Sequence, residues 1–193
     1  MLGIKELINR YRHNRGFGVQ SPYAYHFVTS VLAEKYPYYA YPSVNRTAAK
    51  CGYKAARARL LFRIANYSRP QNILMYAPCE AVVSALTMAR PSASASVFLD
   101  SNAKEVFQQV RPLGLLYVSE ASDYVSQMLE QAINCTSSDS VIIVEDIHRS
   151  SEAKICWQKI KQNAAVAVTF DLYSMGIMFF DKSYKKQHYT LKM

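Results

Sequence analysis

The segment "SVIIVEDIHRSSEA", residues 140–153, ends an apolar run in Glu145 and Asp146 and places His148 two positions further on. Adjacent carboxylates followed by an imidazole can hold a divalent cation or take a proton from a substrate hydroxyl. Asp146 and His148 are therefore the candidate catalytic residues. In an extended strand Glu145 and Asp146 point to opposite faces, so both can serve one site only if the strand ends there. The structural alternative is that Asp146 or His148 caps the following helix and holds its loop. Other histidines carry less: His13 and His26 fall in a helical N-terminal region, and His188 in a terminal strand fits packing or surface better than a ligand set. Cys51, Cys79, Cys135 and Cys156 form no CxxC pair, which argues against a zinc or redox motif and for free thiols in a reducing compartment. No metal site is expected.

A second stretch, "NILMYAPCEAVVSALTMARP" (72–91), reads as strand, turn and helix. In a nucleotide-binding α/β fold a glycine-rich loop belongs here, yet no glycine occurs between Gly52 and Gly114. Asp100 lies 23 residues after Ala77, close to the interval of about 20 at which such folds place a ribose-binding acid. It could equally cap a helix starting near Ser101 or Asn102.

These residues need elements to hold them. Residues 1–68 read as mainly helical, a cap crowded with tyrosines between Tyr23 and Tyr41. Ser21 is a natural N-cap, with Pro22 in the first turn. "YPYYAYPSVNR" reads as a loop, followed by one helix over about 47–66. On that helix Lys50, Lys54, Arg57 and Arg63 form a solvated face opposite Leu60, Leu61 and Ile64. From residue 69 onward, apolar strands at 72–77, 96–100, 113–119 and 140–146 alternate with helices. Continuous apolar strands imply a parallel sheet buried on both faces, a Rossmann-like sandwich. "AVAVTFDLY", "MGIMFFD" and "KQHYTLK" follow with no room for helices, so their turns should join antiparallel strands.

Half the 193 residues are hydrophobic and 19% are charged, which fits one domain (1–193) with a buried core and excludes a disordered chain. The net charge of +9 attracts phosphate or nucleic acid. No RNA-binding or zinc-finger signature accompanies it, so nucleic acid ranks behind the solvated-face reading. No apolar run approaches the roughly 18 residues of a membrane span, and the N-terminus lacks a signal-peptide core. A soluble, cytoplasmic protein is expected.

Particular residues then point to a family. Asp146, Ile147, His148, Ser150, Trp157, Asp171, Leu172, Met175, Gly176, Gln187 and His188 resemble a bacterial family of class I S-adenosylmethionine-dependent methyltransferase-like proteins. That family carries a D-D-I-H-W-S signature, a downstream tryptophan and a D-L-F-x-M-G hairpin. "GFGVQSPYAYHFVTSVL" is similar to the family's G-x-H-S-P-F-x-F segment, with Gln20 where histidine is usual. "ARLLFRIANYSRPQNIL" resembles the helix entering its first strand. The resemblance implies a three-layer α/β sandwich with a mostly parallel sheet ending in an antiparallel hairpin. It implies S-adenosylmethionine as cofactor, with Ala77 and Asp100 at cofactor-binding positions and a small-molecule acceptor.

The middle of the chain departs from the family. In the I-L-E-L-G-T-S-L-G pattern the acid falls at Met75 and two glycines at Ala77 and Ala81. Only "SNAKEVFQQVRP" separates Asp100 from the next strand, so one strand-helix unit is missing. The D-G-N-H positions hold Ser119, Glu120 and Ser122. Side chains at 77 and 81 fill space a ligand would approach, and Pro78 removes an N–H donor. The expected outcome is a degenerate homologue that binds a protein partner or another copy of itself. The alternatives are an active O- or N-methyltransferase and a basic nucleic-acid-binding module.

Overall fold

Strands buried on both faces need helices on both sides, and this chain supplies them. A computed structural model describes residues 21–99 and 102–191. Strands β1 (Asn72–Tyr76), β2 (Ser94–Phe98), β3 (Leu113–Val118), β4 (Thr136–Glu145), β5 (Val168–Asp171), β6 (Met175–Phe179) and β7 (Gln187–Thr190) form one sheet, in the order β2-β1-β3-β4-β6-β5-β7. β1 pairs in parallel with β2 and β3, and β3 with β4, whereas β6 runs antiparallel to both β4 and β5. This is the mostly parallel sheet with a closing antiparallel hairpin that the sequence implies.

Alternation along the strands divides the core. Ile73, Met75, Leu115, Tyr117 and Ile143 face one layer, and Leu74, Leu116, Val118, Ile142 and Val144 face the other. Helices α1 (Pro22–Phe27), α2 (Tyr41–Lys50), α3 (Ala55–Ser68) and α4 (Glu80–Ala89) cover the first face. Helices α5 (Ala103–Gln109), α6 (Asp123–Ile133) and α7 (Ser151–Gln162) cover the second. The described part of the N-terminal region, residues 21–68, thus packs on the first face of the sheet. Ser21 Oγ accepts from the Ala24 N–H at 3.4 Å, and α1 runs into a π-helical turn, Val28–Leu32. It delivers the buried Phe27 ring to Phe170 and Phe179, each centroid 4.9 Å away.

Three expectations are corrected. The helix over 47–66 is two helices, broken where Gly52 turns at φ 65°. The first begins at Tyr41, inside the expected loop, because proline in the first helical turn forfeits no hydrogen bond. The single solvated basic face disappears with that break, and Arg57 and Arg63 turn inward. Finally, β7 does not pair with β6. β4 already occupies β6's other edge, so β7 joins the free edge of β5, where its direction makes the pair parallel.

At the opposite side of the sheet β2 is an edge strand. Only α5 lies between β2 and β3 in the described chain, which agrees with the missing strand-helix unit. All four cysteines are free: Cys51 and Cys79 are exposed, Cys135 and Cys156 buried. No helix among the described residues is long and apolar enough to cross a membrane.

Candidate functional site

β4 ends at Glu145, and Asp146 adopts a left-handed φ of 52°, its N–H donating to the Ser174 carbonyl at 2.8 Å. That turn brings the two acids to one centre. Arg57 Nη1, from the first turn of α3, lies 3.6 Å from Glu145 Oε2 and 3.5 Å from Asp146 Oδ1. The strand does end where both acids must converge, and the cation they meet is a guanidinium. Among the described residues no group of three or more His, Cys, Asp or Glu side chains is arranged to hold a metal ion.

Glu145 is the buried member, 4% exposed. The Tyr53 hydroxyl donates to its Oε1, and Tyr117 stands beside it. Burial pushes the Glu145 carboxyl up to about 7, against the opposing pull of the Tyr53 hydrogen bond and Arg57. Burial, and then the charge of Glu145, raises both tyrosine hydroxyls above their ordinary value.

His148 is held from another element. Its Nε2 lies 2.7 Å from Asp171 Oδ2 at the end of β5, and its ring stacks on Tyr173 at 5.2 Å. Asp171 also accepts the Tyr173 N–H at 2.8 Å, which fixes the β5–β6 turn. A buried carboxylate that orients an imidazole is the arrangement a positioned base requires. Neither Asp146 nor His148 caps α7, because Ser150 Oγ accepts the Ala153 N–H at 3.0 Å.

Above these groups opens a cleft of about 1060 Å³. α3 contributes Arg57, Arg59 and Arg63 to its wall, its N-cap residue Lys54 stands beside them, and the β4–α7 loop contributes Asp146, His148 and Arg149. Its lining holds six Lys or Arg residues against two acids, Glu34 and Asp146. Arg63 is 8% exposed and structural. It donates from Nε to the Val31 carbonyl at 2.6 Å, from Nη2 to that of Leu32 at 3.3 Å, and from Nη1 to Tyr41 Oη at 3.2 Å. Sequence periodicity hid this role, because a helical pattern shows where a cation sits but not which carbonyls it can reach.

The cofactor-loop residues lie elsewhere. Ala77 is exposed with φ 47°, and its N–H donates to the Phe98 carbonyl at 3.4 Å. Met75 and Ala81 are 1% and 0% exposed, inside the core. None of Ala77, Pro78, Cys79 and Ala81 lines the cleft. Asp100, His13 and Gln20 lie outside the described residues. Ser122 caps α6 through the Val125 N–H at 3.3 Å, and the exposed Glu120 reaches Arg149 only at 3.9 Å. His26 Nδ1 meets Ser30 Oγ at 3.2 Å, and His188 Nδ1 meets Thr169 Oγ1 at 2.8 Å.

The chain matches no known protein-family model and no curated protein sequence. Among solved structures it is similar to a putative O-methyltransferase from Klebsiella pneumoniae, with TM-score 0.57 and 8% identity over 78% of this chain and 94% of that one. A methyltransferase from Geobacter sulfurreducens gives TM-score 0.55 and 10% identity over 76% and 90% of the two chains. A methyltransferase from Podospora anserina with bound S-adenosylhomocysteine gives 0.52 and 8%, over 93% and 97%. The fold is therefore that of the class I S-adenosylmethionine-dependent methyltransferases.

Proposed function

We propose that this chain is a degenerate methyltransferase homologue that lacks ordinary S-adenosylmethionine binding and acts by binding a ligand or partner, another copy of itself among them. The observation that carries this reading is the turn after β1. Ala77 keeps a left-handed backbone (φ 47°) at a position where the resembled family has glycine. Its Cβ occupies space that glycine leaves open to a ligand. Met75 packs into the core where the family's acid would accept from a ligand ammonium, and Ala81 is buried in the same core. These residues do not fit the cofactor.

Titration calorimetry with S-adenosylmethionine and S-adenosylhomocysteine tests the reading, and no saturable heat is the expected result. Micromolar binding that disappears in Asp100→Ala would overturn it. The second reading is an active O- or N-methyltransferase, and His148 at the cleft wall, held by Asp171 behind it, favours it. In that case Asp146 and His148 act on the acceptor, and Ala77 and Asp100 touch the cofactor. For a nucleic-acid module, salt-sensitive oligonucleotide binding should weaken when Lys54 and Arg57 become alanine.

A further inference from the structure

The cleft beside Arg57 carries more cations than the described residues balance, its lining holding two acids, Glu34 and Asp146. Of its six cations, Arg57 faces the Glu145 and Asp146 carboxylates, and Arg63 is consumed by backbone carbonyls and Tyr41. Arg149 approaches Glu120 and Asp146 only at 3.9 Å, with its side chain 71% exposed. Lys35, Lys54 and Arg59 meet no carboxylate among the described residues. Arg59 is instead pre-positioned: its guanidinium lies 5.7 Å from the Tyr41 ring centroid, and Nη1 is 3.5 Å from Asn45 Oδ1. Gathering like charges in a concavity is unfavourable unless an anion joins them. The α3 N-terminus adds to the same field, with no acid in its first turn and no side-chain cap.

Size and lining narrow the anion. A volume of about 1060 Å³ lies just above the span of small-molecule sites, roughly 300–1,000 Å³. Leu60, Leu172 and Met175 supply apolar wall, and Tyr41 and Tyr173 aromatic wall. Several separate cations suit a dianion, and guanidinium pairs well with phosphate oxygens. A long nucleic acid would instead need an extended run of phosphate contacts.

We propose that this cleft binds a small phosphorylated organic molecule, its phosphate among Lys54, Arg59 and Lys35 and its apolar or aromatic body against Leu60, Leu172 and Tyr173. This names the ligand class for the binding role proposed above and rests on that reading. Titration calorimetry of the full chain with phenyl phosphate, inorganic phosphate and phenol tests it. Saturable binding of phenyl phosphate is expected, tighter than inorganic phosphate, with phenol silent. Lys54→Ala with Arg59→Ala should weaken it about tenfold or more, and Lys54→Arg with Arg59→Lys should restore most of it. Circular dichroism establishes that both variants are folded. No saturable phenyl phosphate binding, or equal binding to the folded double-alanine variant, overturns the proposal. So does equal affinity for inorganic phosphate, or tighter binding of an oligonucleotide that depends on the same two residues. S-adenosylmethionine titrated in parallel keeps the two ideas apart: its binding counts against the loss of the cofactor, and phenyl phosphate alone decides the ligand class.

Discussion

Glu145 is a carboxyl group that folding makes harder to ionise. Burial raises it from 4.5 to about 7, with Tyr53, Tyr117, Arg57 and Asp146 packed around it. Between those values the folded chain keeps a proton that the unfolded chain has released, so stability falls as pH rises across that window and levels off above it. Glu145→Gln retains a hydrogen-bonding partner for Tyr53 and removes the titration. Relative to the parent, it should gain of order 1–3 kcal/mol on going from about pH 5 to about pH 8. Urea midpoints at the two pH values measure this, and a pH-independent difference would sink the assignment. Ala77 makes a second claim at this scale. At φ 47° its Cβ is strained by about 1 kcal/mol or more. Ala77→Gly should therefore be neutral or stabilising by up to about 1 kcal/mol, whereas Ala58→Gly inside α3 should cost about 1 kcal/mol before its lost packing is counted. Equal losses at both positions would show that Ala77 is unstrained.

Between elements, the contact of α7 with β6 is sharply specified. A Cβ built on Gly176 would stand 2.6 Å from the Trp157 ring, so the strand and the helix approach only because residue 176 lacks a side chain. Gly176→Ala should cost about 1–3 kcal/mol and shift the emission of Trp157, the sole tryptophan. Chemical denaturation followed by fluorescence reads both, and an unchanged midpoint would mean that α7 moves away freely. Elements of this kind were legible in the sequence, because buried parallel strands are continuously apolar and the Ser150–Ser151 pair marks the start of α7, though only the structure shows that Ser150 is the cap. The α2–α3 break was harder to see: residues 47–66 keep a helical pattern across it, and only Gly52 marks the turn. The candidate site was half legible. The strand end at Glu145 and Asp146 could be inferred, but Arg57 lies 89 positions from Asp146. No local pattern says that two acids will close on a guanidinium from another layer, or that Asp171 will hold His148.

At the scale of the molecule, β2 is an edge strand that no other strand among the described residues pairs on its outer side. Ser94, Ala95, Ser96 and Val97 are exposed, and Val97 and Leu99 leave 54% and 59% of their surface in solvent. Edge strands are ordinarily guarded by charge, proline or a bulge. Residues 94–98 contain no charge and no proline, and their register with β1 is unbroken. Two copies related by a two-fold axis could pair these edges antiparallel and cover Val97 on both, which gives the proposed self-association a definite location. The net charge of +9 on each chain works against it, so dimerisation should strengthen as salt screens that repulsion. Light scattering across a salt and concentration series is expected to show a monomer–dimer equilibrium that shifts toward dimer with salt. Val97→Lys places a charge on the edge and should return the chain to monomer without loss of stability, since that side chain already faces water. A parent that stays monomeric at every salt concentration would remove β2 as an interface. A Val97→Lys variant that still dimerises would move the interface elsewhere on the surface.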